Sequence, residues 1–229
     1  MNERHLTHDE LKKMVIQRFL IVIVILAAMF FLPAWTFAYW EAWLYMAILI
    51  IPMFFVGSYL LKNDPDLLER RMRMREKRAE QKLIIQLSYP LFLLAYLLPG
   101  FDHRLGWSNV PPAVVIIADS LVFLGYGLVF LVFRENRYAS RIVEVDQEQE
   151  VISSGPCAIV RHPMYVGTLL MYCLSPLALG SYWAVIPAVL IIPFIIARIL
   201  TEEATLAKEL KGYPEYMQKV KYRLIPGIW

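Results

Sequence analysis

The sequence has few of the residues that indicate a disulfide framework or a metal centre. Its only cysteines, Cys157 and Cys173, fall in a predicted loop and in an apolar segment, and neither their spacing nor their surroundings favour a disulfide or a metal site. The four histidines are scattered along the chain. Charged residues make up 19% of the sequence and the net charge is only +3. We therefore expect neither a disulfide-rich secreted protein, nor a metal, nor a nucleic-acid partner.

Long apolar runs dominate the sequence instead. The chain is 59% hydrophobic and 14% aromatic, which is typical of a membrane protein. About 20 residues cross roughly 30 Å of hydrocarbon, so each of the first four runs predicts one helix: Phe19–Trp40, Ala42–Leu61, Leu83–Phe101 and Leu105–Phe133. A fifth run, Pro163–Ala197, is too long for one crossing and contains Gly180 and Ser181 near its middle, so it predicts a hairpin of two helices.

Positive charges divide unequally between the two ends of these helices. All of the 23 Lys and Arg except Arg104 fall in segments that share one face of a six-helix arrangement. Because positively charged loops are typically cytoplasmic, the sequence predicts an all-α polytopic membrane bundle with both termini in the cytoplasm. No cleavable signal peptide is expected, since Thr7 and Glu10 form a capping box before a run that is too long for one.

The chain is predicted to have two functional parts. Residues 1–133 contain four membrane helices and a basic cytoplasmic loop at 62–82, which fits either an interfacial lipid-binding helix or a solvated topology anchor. Residues 134–229 are predicted to contain a transmembrane hairpin at 163–200 and a polar pocket on the cytoplasmic side. Asp119, the only ionisable residue inside a run, lies near the outer end and is expected to bond within the bundle or to water, outside the site.

Polar residues gather at both ends of the predicted hairpin. Pro163 suits a first helical position, and the N–H groups of that turn favour a polar or negative ligand. Gly167, one turn later, permits close approach of another chain or of a flat ligand. Arg198 lies where the hairpin leaves the hydrocarbon, with Glu202 and Glu203 one turn beyond. An apolar groove under a charged rim predicts a site for an amphiphile, although interfacial anchoring would also place such residues here.

Two motifs in this region occur in a fixed order and spacing. The first is Arg161-His162-Pro163-x-Tyr165-x-Gly167, and the second is Arg198-x-x-x-Glu202-Glu203-x-x-Leu206 with a Gly212-Tyr213-x-x-Tyr216 tail. Together they resemble the isoprenylcysteine carboxyl methyltransferase family, which is related to the phospholipid methyltransferases. The resemblance covers about residues 134–229 and departs from the family at Cys157, where an aromatic residue is usual. It implies an integral membrane enzyme that uses S-adenosyl-L-methionine.

The resemblance also implies roles for individual residues. Arg198 is predicted to bind the acceptor carboxylate, and Arg198, Glu202 and Glu203 are the predicted catalytic residues. Glu203 would serve as the base if the acceptor were an amine. The predicted cofactor-binding residues are Gln149, Glu150, Val151, Ile152, His162, Pro163, Met164, Tyr165, Gly167 and Glu202.

The predicted reaction is methyl transfer to the carboxylate of a lipophilic acceptor, isoprenylcysteine-like compounds included. A carboxylate is a nucleophile without help from a base, and a poorly hydrated site favours a transition state in which opposite charges neutralise. Three alternatives remain: a phospholipid amine N-methyltransferase, an NADPH-dependent sterol or steroid reductase on a related scaffold, and a non-catalytic membrane protein. The expected partners are a lipophilic or lipidated substrate and membrane lipids. The expected location is the cell membrane of a prokaryote or the endoplasmic reticulum of a eukaryote, with the catalytic face in the cytoplasm.

Overall fold

The computed structural model describes residues 7–72, 76, 78–140, 142, 145 and 149–229. Throughout these residues the ordered elements are helices, as the all-α prediction requires. Several residues of the basic loop, 73–75 and 77, lie outside the described residues, as do 1–6, 141, 143, 144 and 146–148. The helices are α1 (His8–Ala34), α2 (Trp40–Asn63), α3 (Pro65–Met72), α4 (Ala79–Leu105), α5 (Pro112–Glu135), α6 (Pro163–Ala178), α7 (Val185–Leu190), α8 (Ile192–Glu209) and α9 (Tyr213–Lys219).

Five stretches of helix are long and apolar enough to cross a membrane in the part of the chain described: α1, α2, α4, α5 and the combined α7–α8. α6 is apolar but has 16 residues, about 24 Å at 1.5 Å per residue. The prediction of about six membrane helices therefore corresponds to five full-length candidates and one short one. Large apolar side chains such as Val24, Leu32 and Leu124 are more than 60% exposed on the outside of the bundle, as a lipid-facing surface requires.

The helix ends follow local signals in the sequence. Thr7 and Glu10 form the predicted capping box, with the Glu10 carboxylate accepting from the Thr7 N–H at 2.9 Å. The Asp64 carboxylate caps α3 by accepting from the Leu67 N–H at 3.0 Å. The predicted fourth run was too long at its start: Leu105 ends α4, and Gly106 adopts a left-handed conformation with φ 66°. The run concealed this loop because no charged residue marks the residues between Leu105 and α5.

The turn between α6 and α7 is held by hydrogen bonds to other parts of the bundle. Gly180 has φ 72°, which favours glycine at this position. The Ser181 hydroxyl donates to Asp102, and the Tyr39 hydroxyl donates to the Leu179 carbonyl. Asp119 is buried, but neither of its carboxylate oxygens has a hydrogen-bond partner among the described residues; the expected bond within the bundle is not observed there.

Helices α5 and α6 approach each other very closely through two glycines. A Cβ atom added at Gly167 would lie 2.5 Å from the Gly125 carbonyl oxygen and 2.8 Å from Val129. A Cβ atom added at Gly125 would lie 2.8 Å from the Gly167 carbonyl oxygen. This contact fixes α6, and with it Pro163, Met164 and the other residues of its first turn, against the end of α5.

Candidate functional site

Two cavities meet at the first turn of α6. The smaller has a volume of about 110 Å³ and lies between the end of α5, the segment before α6 and the end of α8. The larger, about 820 Å³, extends from the same point along α1 and α2. Since both cavities share wall residues, a group bound in one would lie next to a group bound in the other. The shared wall consists of Ser140, Ile142, Met164, Tyr165 and Glu202.

The smaller cavity contains most of the cofactor-binding residues predicted from the sequence. Pro163 begins α6 as predicted, which directs the first turn of that helix into the cavity. Sequence reasoning missed several wall residues from the end of α5 and the following loop, among them Val132, Asn136 and Tyr138. No local motif marks them, since they reach the cavity through the fold. The predicted residues that line it are Gln149, His162, Pro163, Met164, Tyr165 and Glu202.

Four predicted cofactor-binding residues are not among the described residues that line the smaller cavity. Gly167 faces α5, so the missing side chain serves the helix contact, which is the first of the two roles considered for it. Glu150 is exposed and Ile152 is half-buried outside the wall. Val151 packs beside Leu210, Tyr213, Tyr216 and Val220 at the base of the C-terminal tail.

Tyr165 connects the two motifs at the wall between the cavities. Its hydroxyl donates to the Glu202 carboxylate at 2.7 Å and accepts from the Arg198 Nε at 2.9 Å. Arg198 and Glu202 are one turn apart on α8, so both reach the same tyrosine. The Arg198 side chain is 16% exposed and lines the larger cavity, whereas Glu202 lines both.

Two residues of the predicted basic loop and its following helix support Arg198. The Glu76 carboxylate lies 3.7 Å from the Arg198 Nη2 and is itself buried. Gln81, in the first turn of α4, donates to the Arg198 carbonyl at 3.2 Å and to the Thr201 hydroxyl at 2.7 Å. Neither was predicted, because each lies more than 100 residues from α8 in a segment dominated by positive charge.

Glu203 points away from this tyrosine and contacts two arginines and a histidine. Its carboxylate accepts from the Arg161 Nε at 2.6 Å and from the Arg223 Nε at 2.8 Å. The His162 Nε2 lies 3.1 Å from it. The side chains of Glu203, Arg161 and His162 are each only 5% exposed. Within the described residues Glu203 lines neither cavity, so the two adjacent glutamates have different surroundings.

The same cluster attaches the C-terminal tail to the segment before α6. The N–H of Arg161 donates to the Tyr222 carbonyl and the N–H of His162 to the Arg223 carbonyl, both at 2.9 Å. The Arg161 guanidinium also donates to the carbonyls of Val220 and Lys221. The Arg-His pair of the first motif therefore holds the tail as well as the edge of the cavity.

The Cys157 thiol lies in the wall of the smaller cavity, in a single turn of 3-10 helix. Burial raises the pKa of this thiol to about 11, with a further increase from the charge of Glu135. The Tyr216 hydroxyl donates to the Cys157 carbonyl at 2.7 Å, which links α9 to the same turn. The neutral thiol is thus a small apolar wall residue at ordinary pH.

The polar end of the larger cavity carries cations that the sequence did not assign to the site. Arg71 of α3 lies 4.7 Å above the Phe133 ring and donates to the Ser140 carbonyl at 3.3 Å. Arg18 of α1 donates to the Met72 carbonyl. Both line the larger cavity together with Arg198. Part of the basic loop therefore forms a wall of the site, a third role beside the two that its composition suggested.

The family model for phospholipid methyltransferases matches residues 113–211. This match runs from α5 to the end of α8. It includes the first motif and the part of the second from Arg198 to Leu206, but not the tail that begins at Gly212. No individual curated protein matches the chain. The matched part of the chain is similar to the group of isoprenylcysteine carboxyl and phospholipid methyltransferases of membranes, which confirms the resemblance. The family implies a methyltransferase, and its members generally use S-adenosylmethionine.

Proposed function

We propose that this protein transfers a methyl group from S-adenosyl-L-methionine to the carboxylate of a lipophilic acceptor. The main support is the shared wall at Tyr165 and Glu202, which separates a small cavity of mixed polarity from a large apolar one. A cofactor in the first and an acceptor head in the second would be adjacent. Holding two reactants in contact in this way supplies a large part of a transfer enzyme's acceleration.

The side chains of the smaller cavity suit a nucleoside that carries a positive charge, although the cavity of about 110 Å³ must widen to hold the whole cofactor, since ligand pockets usually measure about 300–1,000 Å³. Asn136, Gln149 and the Tyr138 hydroxyl offer hydrogen-bonding groups, and Glu202 offers a negative charge. Val132 and Leu206 add apolar surface for a flat ring. When bound, S-adenosyl-L-methionine supplies a methyl group on a positively charged sulfur, and transfer to a carboxylate leaves a methyl ester and a neutral thioether with no proton to remove.

The cavity fits NADPH less well, because that cofactor carries several phosphate charges. Among the described wall residues, Arg161 is the one arginine of the smaller cavity, and its guanidinium is bonded to Glu203 and to two carbonyls of the tail. A nucleotide phosphate would have to compete with these contacts. This arrangement favours the methyltransferase over the reductase.

Arg198 is suited to hold a carboxylate acceptor. A guanidinium binds a carboxylate through two parallel hydrogen bonds, and Tyr165 and Glu76 position this one at the wall of the larger cavity. A carboxylate acceptor requires no base. An amine acceptor would require one, and Glu203 is poorly placed for it, since it is not among the described residues that line either cavity and its ionised form is stabilised by two arginines and by the contact with His162. These contacts favour the carboxylate over the phospholipid amine.

We further propose that this site faces the cytoplasm and that its acceptor arrives from the bilayer. The support is the distribution of Lys and Arg, of which only Arg104 falls on the opposite side. Reporter fusions after Arg78 and at the C-terminus should both read cytoplasmic, and one at Asp102 should read external. An external C-terminal reporter would contradict the orientation.

The reaction is tested with Arg198→Lys, which keeps the positive charge but loses the two parallel hydrogen bonds to a carboxylate. Purified protein in nanodiscs would receive radiolabelled S-adenosylmethionine with either an S-alkyl-N-acetylcysteine or phosphatidylethanolamine. We expect the wild type to label the carboxylate compound, and the variant to lose at least about tenfold in turnover, since a hydrogen bond between charged groups contributes roughly 1.5–3 kcal/mol. S-adenosylhomocysteine affinity, measured by calorimetry, should be nearly unchanged.

Arg104→Lys is the matched control, because Arg104 lies beside Trp35 at the C-terminal end of α4, far from the end of that helix that contacts Arg198. It should behave like the wild type. Labelling of phosphatidylethanolamine alone would favour the amine N-methyltransferase. Heat from NADPH and none from S-adenosylhomocysteine would contradict the proposed cofactor.

A further inference from the structure

The larger cavity has the shape of a chamber for an extended apolar chain. Its wall on α1 runs from Val15 to Ile25, about 15 Å at 1.5 Å per residue. Ile21 and Ile25 line the cavity and are also 48% and 50% exposed. The cavity therefore reaches the surface of the bundle within the apolar part of α1, where the surroundings are lipid.

The charges of this chamber are confined to one end. Three arginines and one glutamate, Arg18, Arg71, Arg198 and Glu202, are the charged members among the described residues that line it. The guanidinium groups at this end complement an acidic head, and the apolar remainder complements a chain. The Glu76 carboxylate, 3.7 Å from the Arg198 Nη2, offsets part of this positive charge.

We propose that Gly57 of α2 determines which acceptor chains the chamber admits. This inference rests on the proposed function and names a residue that sets its chain preference. With the acceptor head toward Arg71 and Arg198, the chain extends between α1 and α2. Most of the apolar wall belongs to these two helices, outside the segment matched by the family model, and α5 and α6 add to it from within that segment.

Gly57 offers a way to change the chamber without disturbing the helices around it. A Cβ atom added there has only the Val15 Cγ1 within 4 Å, at 4.0 Å, so a larger side chain has room and occupies the cavity. Gly127 of α5 provides the matched control. A Cβ atom at Gly127 meets nothing within 4 Å, and this glycine is exposed and not among the cavity residues described.

The experiment measures kcat/KM of Gly57→Leu and Gly127→Leu with a short-chain and a long-chain S-alkyl-N-acetylcysteine. Gly57→Leu should lower the ratio of long-chain to short-chain kcat/KM at least about tenfold, since one extra methylene in an apolar pocket already changes specificity by ten- to two-hundredfold. Gly127→Leu should leave the ratio at the wild-type value. Gly57→Ala should give a ratio of long-chain to short-chain kcat/KM between those of the wild type and Gly57→Leu. This variant keeps the inference testable if the leucine variant folds poorly.

An unchanged ratio in both Gly57 variants would overturn the inference, as would an equal change in Gly127→Leu. S-adenosylhomocysteine binding verifies that each variant is folded. If the wild type methylates the carboxylate compounds but Gly57 does not affect chain preference, the proposed function stands and the chamber is assigned wrongly. If the wild type methylates only an amine lipid, the proposed function fails. The ratio of kcat/KM for amine lipids of two chain lengths, compared between the wild type and Gly57→Leu, then shows whether the chain lies beside Gly57.

Discussion

The adjacent residues Glu202 and Glu203 should respond to the same substitution in opposite ways. Glu203→Gln removes the negative charge that compensates Arg161 and Arg223, and it leaves the Arg161 guanidinium buried without an anionic partner. Breaking a buried ion pair by removing one member costs about 3–5 kcal/mol. The Arg223 pair adds little, since that side chain is 27% exposed and exposed pairs contribute at most about 1 kcal/mol.

A loss near 3 kcal/mol is expected, because glutamine can still accept one of the hydrogen bonds. For a chain of this size about 1 kcal/mol lowers Tm by roughly 2–4 °C, so Glu203→Gln should melt on the order of 10 °C lower. Glu202→Gln should stay within about 1 kcal/mol of the wild type, since the Tyr165 hydroxyl can donate equally well to an amide oxygen. Its turnover and S-adenosylhomocysteine affinity should fall at least about tenfold.

The two variants would be compared in one detergent by tryptophan fluorescence at a fixed heating rate, with calorimetry of S-adenosylhomocysteine on each protein below its Tm. The C-terminal tail should also become more accessible to carboxypeptidase in Glu203→Gln, because the cluster holds it. A wild-type Tm for Glu203→Gln together with lost turnover would refute this assignment. Glu203 would then act in the reaction, as first predicted from its motif.

Two further predictions concern the helix contact and the buried thiol. Gly167→Ala forces a Cβ against the Gly125 carbonyl oxygen and should lower the free energy of unfolding by about 1–3 kcal/mol. Gly127→Ala, with open space around it, should leave the Tm unchanged in the same thermal assay. Equal Tm values for the two variants would contradict the close contact. Because burial raises the Cys157 pKa to about 11, maleimide should label this thiol negligibly at pH 7 and increasingly as the pH approaches that value. The Cys157→Ser variant measures the labelling of Cys173 alone, which is subtracted. Rapid labelling of Cys157 at pH 7 would show that this turn opens readily.

The helices could be predicted because they depend on nearby residues. A run of apolar side chains, a capping box at Thr7 and a proline at the start of α6 each act within a few residues, so the sequence alone indicates where most helices begin. The loop between Leu105 and Pro112 fell inside the predicted fourth run because none of its residues is charged, although Ser108, Asn109 and the Pro111-Pro112 pair are typical of a turn.

The site was predictable only where a motif marked it. Tyr165, Arg198 and Glu202 carry the family pattern, but the pattern does not say that Glu202 and Glu203 turn to different partners. That difference depends on Arg223, which arrives from the tail. Arg71 and Glu76 reach the site through the packing of α3 and the segment after it, and no local feature of a basic loop indicates such a position.

The walls of the two cavities come from different parts of the chain, and this has a practical consequence for enzyme engineering. The smaller cavity is built mainly by residues after 131, whereas the long side of the larger one is built by α1, α2 and α3. A chimaera that joins the first 72 residues of one such protein to the remainder of another would exchange most of one chamber and leave the other intact. Relatives grouped by their C-terminal halves alone would accordingly be grouped by the smaller cavity, which we propose for the cofactor, and compounds that fill the space beside Gly57 would be expected to discriminate among them.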